Sequence, residues 1–156
     1  MSRRLLVIVL MVGIGLPTML LTVLSMTSTR PDNLGVTNGR LSVCPDLPNC
    51  VCTQASNQRH RIDPIPWTGS REEAFERIRQ TLQQMPRVTM VSESEDYLHA
   101  ESRSLIFRFV DDIEFLVDLE NGLIHFRSAS RTGYADLGTN RKRMERFREL
   151  FVPHSQ

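Results

Sequence analysis

Neither sign of charge dominates this chain: 19 Lys and Arg stand against 18 Asp and Glu, a net +1 at pH 7. That balance removes the global pull toward nucleic acid that a strongly basic domain exerts. Internal repeats and low-complexity tracts are missing, so a solenoid or array is not expected. Cysteine is scarce, with three in the chain. The spacing of Cys44, Cys50, Cys52 and His60 matches no common zinc pattern, so no metal is expected. A thioredoxin-like pair needs two intervening residues, whereas Cys50 and Cys52 have one. No Gly-x-Ser-x-Gly elbow surrounds Ser128 or Ser130, which leaves a serine nucleophile without support. No other catalytic motif and no cofactor signature is visible, and the chain reads as a non-enzyme more readily than as an enzyme.

What is present begins with an apolar segment. Residues 5–26 contain no charge. As a helix they would span roughly 33 Å, enough to cross the hydrocarbon core. Arg3 and Arg4 precede them, which predicts an N-terminus kept inside and a chain exported beyond. A cleaved signal peptide is the competing reading, but its apolar region is about 7–15 residues long. The residues that follow here, Ser25, Met26, Thr27 and Ser28, make a poor cleavage site. Residues 1–26 are therefore read as a membrane anchor or uncleaved signal segment. No Cys follows the run where a lipoprotein would need one.

The expected organisation continues with a polar linker over 27–43, a globular domain over 44–152 and a short tail at 153–156. Ser70 and Glu73 have the spacing of a capping box. Ala74, Phe75, Ile78, Leu82 and Met85 then share one helical face until Pro86 stops the helix. From Val88 the period switches to two, predicting strands at about 88–92, 97–102, 105–109, 113–119 and 123–130. Asn121-Gly122 predicts a type I′ turn. That turn sets Leu119 opposite Ile124, Val117 opposite Phe126 and Phe115 opposite Ser128. A connection at Val110 to Asp112 pairs Phe109 with Ile113 and keeps their apolar side chains on one side. A turn at Arg103-Ser104 places Leu98 and Ala100 beside Phe109 and Phe107. A last helix is predicted at about 140–152, with Met144, Phe147, Leu150 and Phe151 as its stripe. The fold class is α+β: an antiparallel meander of four to five strands, with two helices on one face and a transmembrane helix in front.

The same registers give the other face of the sheet. His99 falls opposite Arg108, Asp118 opposite His125 and Asp112 opposite Arg131, with Glu114 and Arg127 on a diagonal. One reading is a solvated face carrying cross-strand ion pairs. The other is a face that binds an anionic ligand, because arginines hold carboxylate or phosphate in bidentate geometry. In that reading Arg108, Arg127, Arg131 and Arg141 hold the anion, Asp112 and Glu114 orient them, Tyr134 supplies a hydrogen bond or flat contact, and Asn140 is a further ligand candidate. The start of the last helix, with Gly138, Thr139 and Arg141, is a second anion candidate. Against it, Asp136 or Asn140 is expected to cap those amides. Asp111, Asp112 and Glu114 form an acidic group from which a hydrolase would draw Asp112 or Glu114 as general base, although adjacent acids in a turn are more often solvated. Arg141, Lys142, Arg143, Arg146 and Arg148 make the last helix basic, and a solvated helix face is preferred to lipid contact. For the cysteines, export favours oxidation, and Cys44–Cys50, flanked within its loop by Pro45 and Pro48, is the expected disulfide.

Three stretches resemble the domain-of-unknown-function 1499 family: Cys-Pro-Asp-Leu-Pro-Asn-Cys-Val (44–51), Phe-Val-Asp-Asp-Ile-Glu-Phe (109–115) and Arg-Ser-Ala-Ser-Arg-Thr-Gly-Tyr-Ala-Asp-Leu-Gly-Thr-Asn-Arg-Lys-Arg (127–143). The resemblance covers about residues 41–152. It implies an envelope-associated or organellar protein of bacteria and plants. With the apolar segment, the expectation is a single-pass protein of a bacterial inner membrane with its C-terminal domain in the periplasm, or a periplasmic protein where the segment is cleaved. It supplies no catalytic residues. The family pattern usually carries Ser where this chain has Cys52, which supports the Cys44–Cys50 pairing. The expected partners are the membrane, through residues 5–26, and an anionic small molecule or an envelope protein.

Overall fold

The computed structural model describes residues 28–152, together with Arg3, Gly13, Gly15 and Met19. The expected anchor lies outside the described residues apart from those four, as does the tail at 153–156. Among the described residues, no helix is long and apolar enough to cross a membrane.

Two helices lie against one face of an antiparallel sheet. Helix α1, Arg71–Gln83, starts with the capping box: the Glu73 amide donates to Ser70 Oγ and the Ser70 amide donates to Glu73 Oε2. Its buried stripe is Ala74, Phe75, Ile78 and Leu82, and it ends just before Pro86. Helix α2, Thr139–Phe151, buries Met144, Phe147 and Phe151. Phe147 meets Phe115 of the sheet at 4.6 Å between ring centroids. With Leu98, Ile113, Val117, Ile124 and Phe126 these residues make one continuous core.

The sheet contains β5 (Val88–Glu93), β6 (Tyr97–Arg103), β7 (Val110–Asp118) and β8 (Leu123–Ser130) as a meander. Beyond β8 lie β3 (Cys50–Cys52) and β4 (Ile65–Pro66), paired to successive stretches of that strand. Pro66 has no amide to donate, which an edge position tolerates. The expected faces hold, but two registers differ. Val117 sits opposite Ile124 and Phe115 opposite Phe126, two residues away from the register predicted by the Asn121-Gly122 turn. Among Leu119 to Gly122, only Gly122 has positive φ, so the type I′ turn is absent. Asp118 instead accepts from both the amide and the side chain of Asn121 and closes a four-residue loop. A shift of two leaves every side chain on its predicted face.

The second difference is larger. Residues 104–109 form a loop, not a strand, and β6 pairs directly with β7: Leu98 lies opposite Phe115, Ala100 opposite Ile113 and His99 opposite Glu114. Phe107 and Phe109 stay outside the core. Asp111 and Asp112, expected in a turn, lie inside β7 and are buried. Ion pairs to distant arginines, described below, overrode the local turn preference of adjacent acids.

The stretch expected as linker carries a third layer. Strands β1 (Val36–Thr37) and β2 (Arg40–Leu41) form a small hairpin, with Asn38 and Gly39 in the left-handed region at its turn. Leu41, Val36, Cys44 and Ala55 pack with Cys52, Tyr97 and Leu116 on the sheet face opposite the helices. The polar face is therefore covered. The Cys44–Cys50 disulfide closes the segment between the hairpin and β3, while Cys52 is a buried free thiol.

Candidate functional site

On the covered face, period-two placement on β6, β7 and β8 gathers the charged side chains into a largely buried cluster. Arg127 donates to Glu114 across the β7–β8 pair at 2.6 Å. The other oxygen of Glu114 accepts from Tyr97 Oη at 3.0 Å and from the Gly35 amide at 2.9 Å. Asp112 receives Arg131 through Nε and Nη2, at 2.9 and 2.6 Å, and His99 Nε2 at 2.8 Å. Arg131 also reaches Glu101, whose second oxygen takes Arg103. Burial opposes ionisation of Asp112, but the hydrogen bonds from Arg131 and His99 prevail and hold its carboxyl below the usual aspartate range. Burial and the neighbouring Glu114 carboxylate push the Tyr97 phenol up, so it stays a donor.

Four of the predicted ligand residues, Asp112, Glu114, Arg127 and Arg131, thus come together, but they bind each other. The other four are elsewhere. Arg108 is exposed on the 104–109 loop, and Tyr134 is exposed beyond β8. Arg141 donates to the carbonyls of Arg59 and Arg61. Asn140 is fully buried on the helix side, bonded to Ser128, Ser130, Asn49 and Asp136. Asp136 accepts from the amides of Gly138 and Asn140, so the start of α2 is capped internally. Arg143 ties this network to Asp111. Glu101, Tyr97 and Arg143 were not picked out by sequence reasoning. A signal did exist for two of them, because Tyr97, His99 and Glu101 alternate along one face of β6. Neither a fully solvated face nor free arginines describe the cluster.

The polar face meets solvent at one end of the sheet. A cleft of about 800 Å³ opens between the hairpin turn and the β7–β8 loop. Arg40, Arg61 and Arg71 line it together with Asp96, Glu120 and His125. The Arg61 side chain has no partner among the described residues. Arg40 donates to the Gln54 carbonyl, and Arg71 meets the exposed Glu95 at 3.3 Å. His125 Nδ1 lies 3.0 Å from Thr53 Oγ, which itself accepts from the Phe126 amide. Burial holds the His125 pKa below the usual imidazole range, with Asp118 opposing. No group of three or more His, Cys, Asp or Glu among the described residues could hold a metal ion.

These features define a small α+β domain with an internal ion-pair layer, a covering hairpin and a polar end cleft. The chain belongs to the family described as protein of unknown function (DUF1499), whose model matches residues 40–151. No curated protein and no solved structure matches it.

Proposed function

We propose that the domain is a binding module without chemistry of its own, tethered by residues 5–26 on the outer side of a membrane. Its ligand in this reading is a small polar molecule that carries an anionic group and hydrogen-bond donors. One observation carries the proposal: the end cleft presents the unpartnered Arg61 guanidinium, with Arg40 held only by a carbonyl, beside carboxylates. Arg61 and Arg40 are suited to a phosphate or carboxylate. Asp96 and Glu120 have no side-chain partner among the described residues, and they suit hydroxyl or amino groups. Arg127 and Arg131 are poorly suited to the anion, because each already meets a buried carboxylate. The same pairing weighs against Asp112 or Glu114 as a general base, since each carboxylate is locked to an arginine beneath the hairpin.

The test is thermal unfolding of the full chain in detergent against sugar phosphates, lipid headgroups, nucleotides and cell-wall fragments. A ligand at 100 times its Kd adds about 2.7 kcal/mol. Arg61→Ala should abolish that gain while leaving the unliganded midpoint in place. Silence across the panel, or a gain that survives both Arg61→Ala and Arg40→Ala, would sink the reading and turn attention to a protein partner.

A further inference from the structure

The end of the sheet opposite the cleft has a different character. There β6 ends at Arg103, β7 begins at Val110 and β8 ends at Ser130. The 104–109 and 131–138 connections therefore emerge side by side. The second is tied to the segment before β3, because Asn49 Nδ2 donates to the Gly133 carbonyl and the Asp136 amide to that of Pro48. The outermost side chains at this end are apolar: Leu105 is 73% exposed, Ile106 77%, Tyr134 74% and Leu137 91%. Single exposed apolar residues need no explanation, but four large ones on the two loops at one end of the sheet call for one. The loop that carries Leu105 and Ile106 is held in shape. The Ser104 amide donates to the Phe109 carbonyl and the Phe109 amide to Ser104 Oγ, both at 2.9 Å. Arg108, in the left-handed region at φ 56°, is exposed beside them with no side-chain partner among the described residues. Arg87 is exposed next to it, donating Nε to the Arg103 carbonyl.

We infer that this end is a membrane-contact surface: Leu105, Ile106, Tyr134 and Leu137 enter the headgroup region of an anionic bilayer, and Arg108 takes a lipid phosphate. Apolar tips flanked by arginine are the composition that lies in a bilayer interface. The inference rests on the anchor in residues 5–26 and is independent of the cleft. Gly35 is fixed to Glu114 at mid-sheet. The segment before it runs along the domain, with Ser28 Oγ buried and the Asn33 carbonyl accepting from Ser42 Oγ. Chemistry chooses which end of the sheet touches the bilayer. The cleft end balances Arg40, Arg61 and Arg71 against Asp96, Asp118 and Glu120, whereas the loop end sets the unpartnered Arg108 beside exposed apolar tips.

The experiment uses the full chain reconstituted in vesicles of phosphatidylethanolamine with one third phosphatidylglycerol, with and without brominated acyl chains. Trp67, the single tryptophan, binds the Gly122 carbonyl at the cleft end and serves as the internal control. Ile106→Trp adds a second reporter, and Leu105→Trp repeats the test should that variant misfold. The emission gained at position 106 should be blue-shifted and at least halved by bromine, with Trp67 unquenched. Arg108→Glu should weaken the quenching in these vesicles. Water-like, unquenched emission overturns the inference. So does a blue shift without quenching, which would mean a second copy of the chain covers the patch. A blue shift confined to native membranes also overturns it, and would indicate a protein partner.

Discussion

Arg127 Nη1 lies 2.6 Å from Glu114 Oε2 on neighbouring strands, and both residues are closed off from water. A pair at this depth gives up hydration on both partners, so its worth depends on every remaining atom being satisfied. Glu114 meets that condition through Tyr97 and Gly35. Arg127 Nε does not, being buried with no partner. The pair therefore fixes geometry more than it adds net stability.

Removing one partner is a different matter. Arg127→Ala leaves a buried carboxylate with no countercharge, a loss of about 3–5 kcal/mol. The double change Glu114→Leu with Arg127→Met removes both charges and should recover most of it. The recovery stays incomplete, because Tyr97 Oη and the Gly35 amide lose their acceptor, each worth roughly 1 kcal/mol. Urea unfolding of the two singles and the double closes the cycle. An Arg127→Ala chain as stable as the parent would show that water reaches the cluster.

Acid should weaken the domain in two stages. Burial depresses the His125 pKa, with Arg40 acting in the same sense and Asp118 opposing. A depressed folded pKa means the unfolded chain takes up the proton first. The stabilisation is thus complete above the unfolded value near 6.5 and declines as pH falls below it. Asp112 is also depressed, so its contribution is present above the unfolded value near 3.8 and disappears as pH drops further. Urea midpoints measured from pH 8 to pH 3 should show both declines. His125→Asn should remove the upper one and keep the lower, and a profile unchanged by that substitution would contradict the assignment.

The cysteines predict a simple chemical pattern. Cys44 and Cys50 are six residues apart, so opening their bond frees a short loop and costs about 2 kcal/mol on the chain-entropy account. Cys52 is almost wholly buried, and burial pushes its thiol up, with the neighbouring Glu114 charge adding to the effect. It should resist alkylation in the folded chain and react fully in denaturant. Native reactivity comparable to the denatured value would mean that the hairpin opens readily.

The parts legible in the sequence are those set by neighbours in the chain. Ser70 and Glu73 announce α1 because both ends of the capping box lie within one turn. Ile113, Phe115 and Val117 reveal their face because period two is a local property. The register offset at Asn121-Gly122 was invisible, since an even shift changes no face. Asp111 and Asp112 looked like turn residues because their partners, Arg143 and Arg131, lie 32 and 19 residues away. The cover over the polar face was hidden for a related reason. Strands β1 and β2 have two residues each, too few to show any period, and only tertiary contact makes them a layer.

That cover supplies the last prediction. A chain beginning at residue 28 keeps the hairpin, whereas one beginning at residue 43 loses it together with Leu41 and the Gly35 amide. Burying a leucine contributes about 1.5–3 kcal/mol, and the Gly35 hydrogen bond roughly 1 kcal/mol. The shorter chain should therefore be less stable by at least about 2.5 kcal/mol, even though it retains all six strands of the sheet and both helices. It should also bind a hydrophobic dye, because Tyr97, Leu116 and Cys52 lose their cover. The longer chain should match the parent in urea and bind no dye. Equal midpoints for the two truncations would mean that the polar face stands without its hairpin, and that Arg127 and Arg131 are open to solvent and to ligands after all.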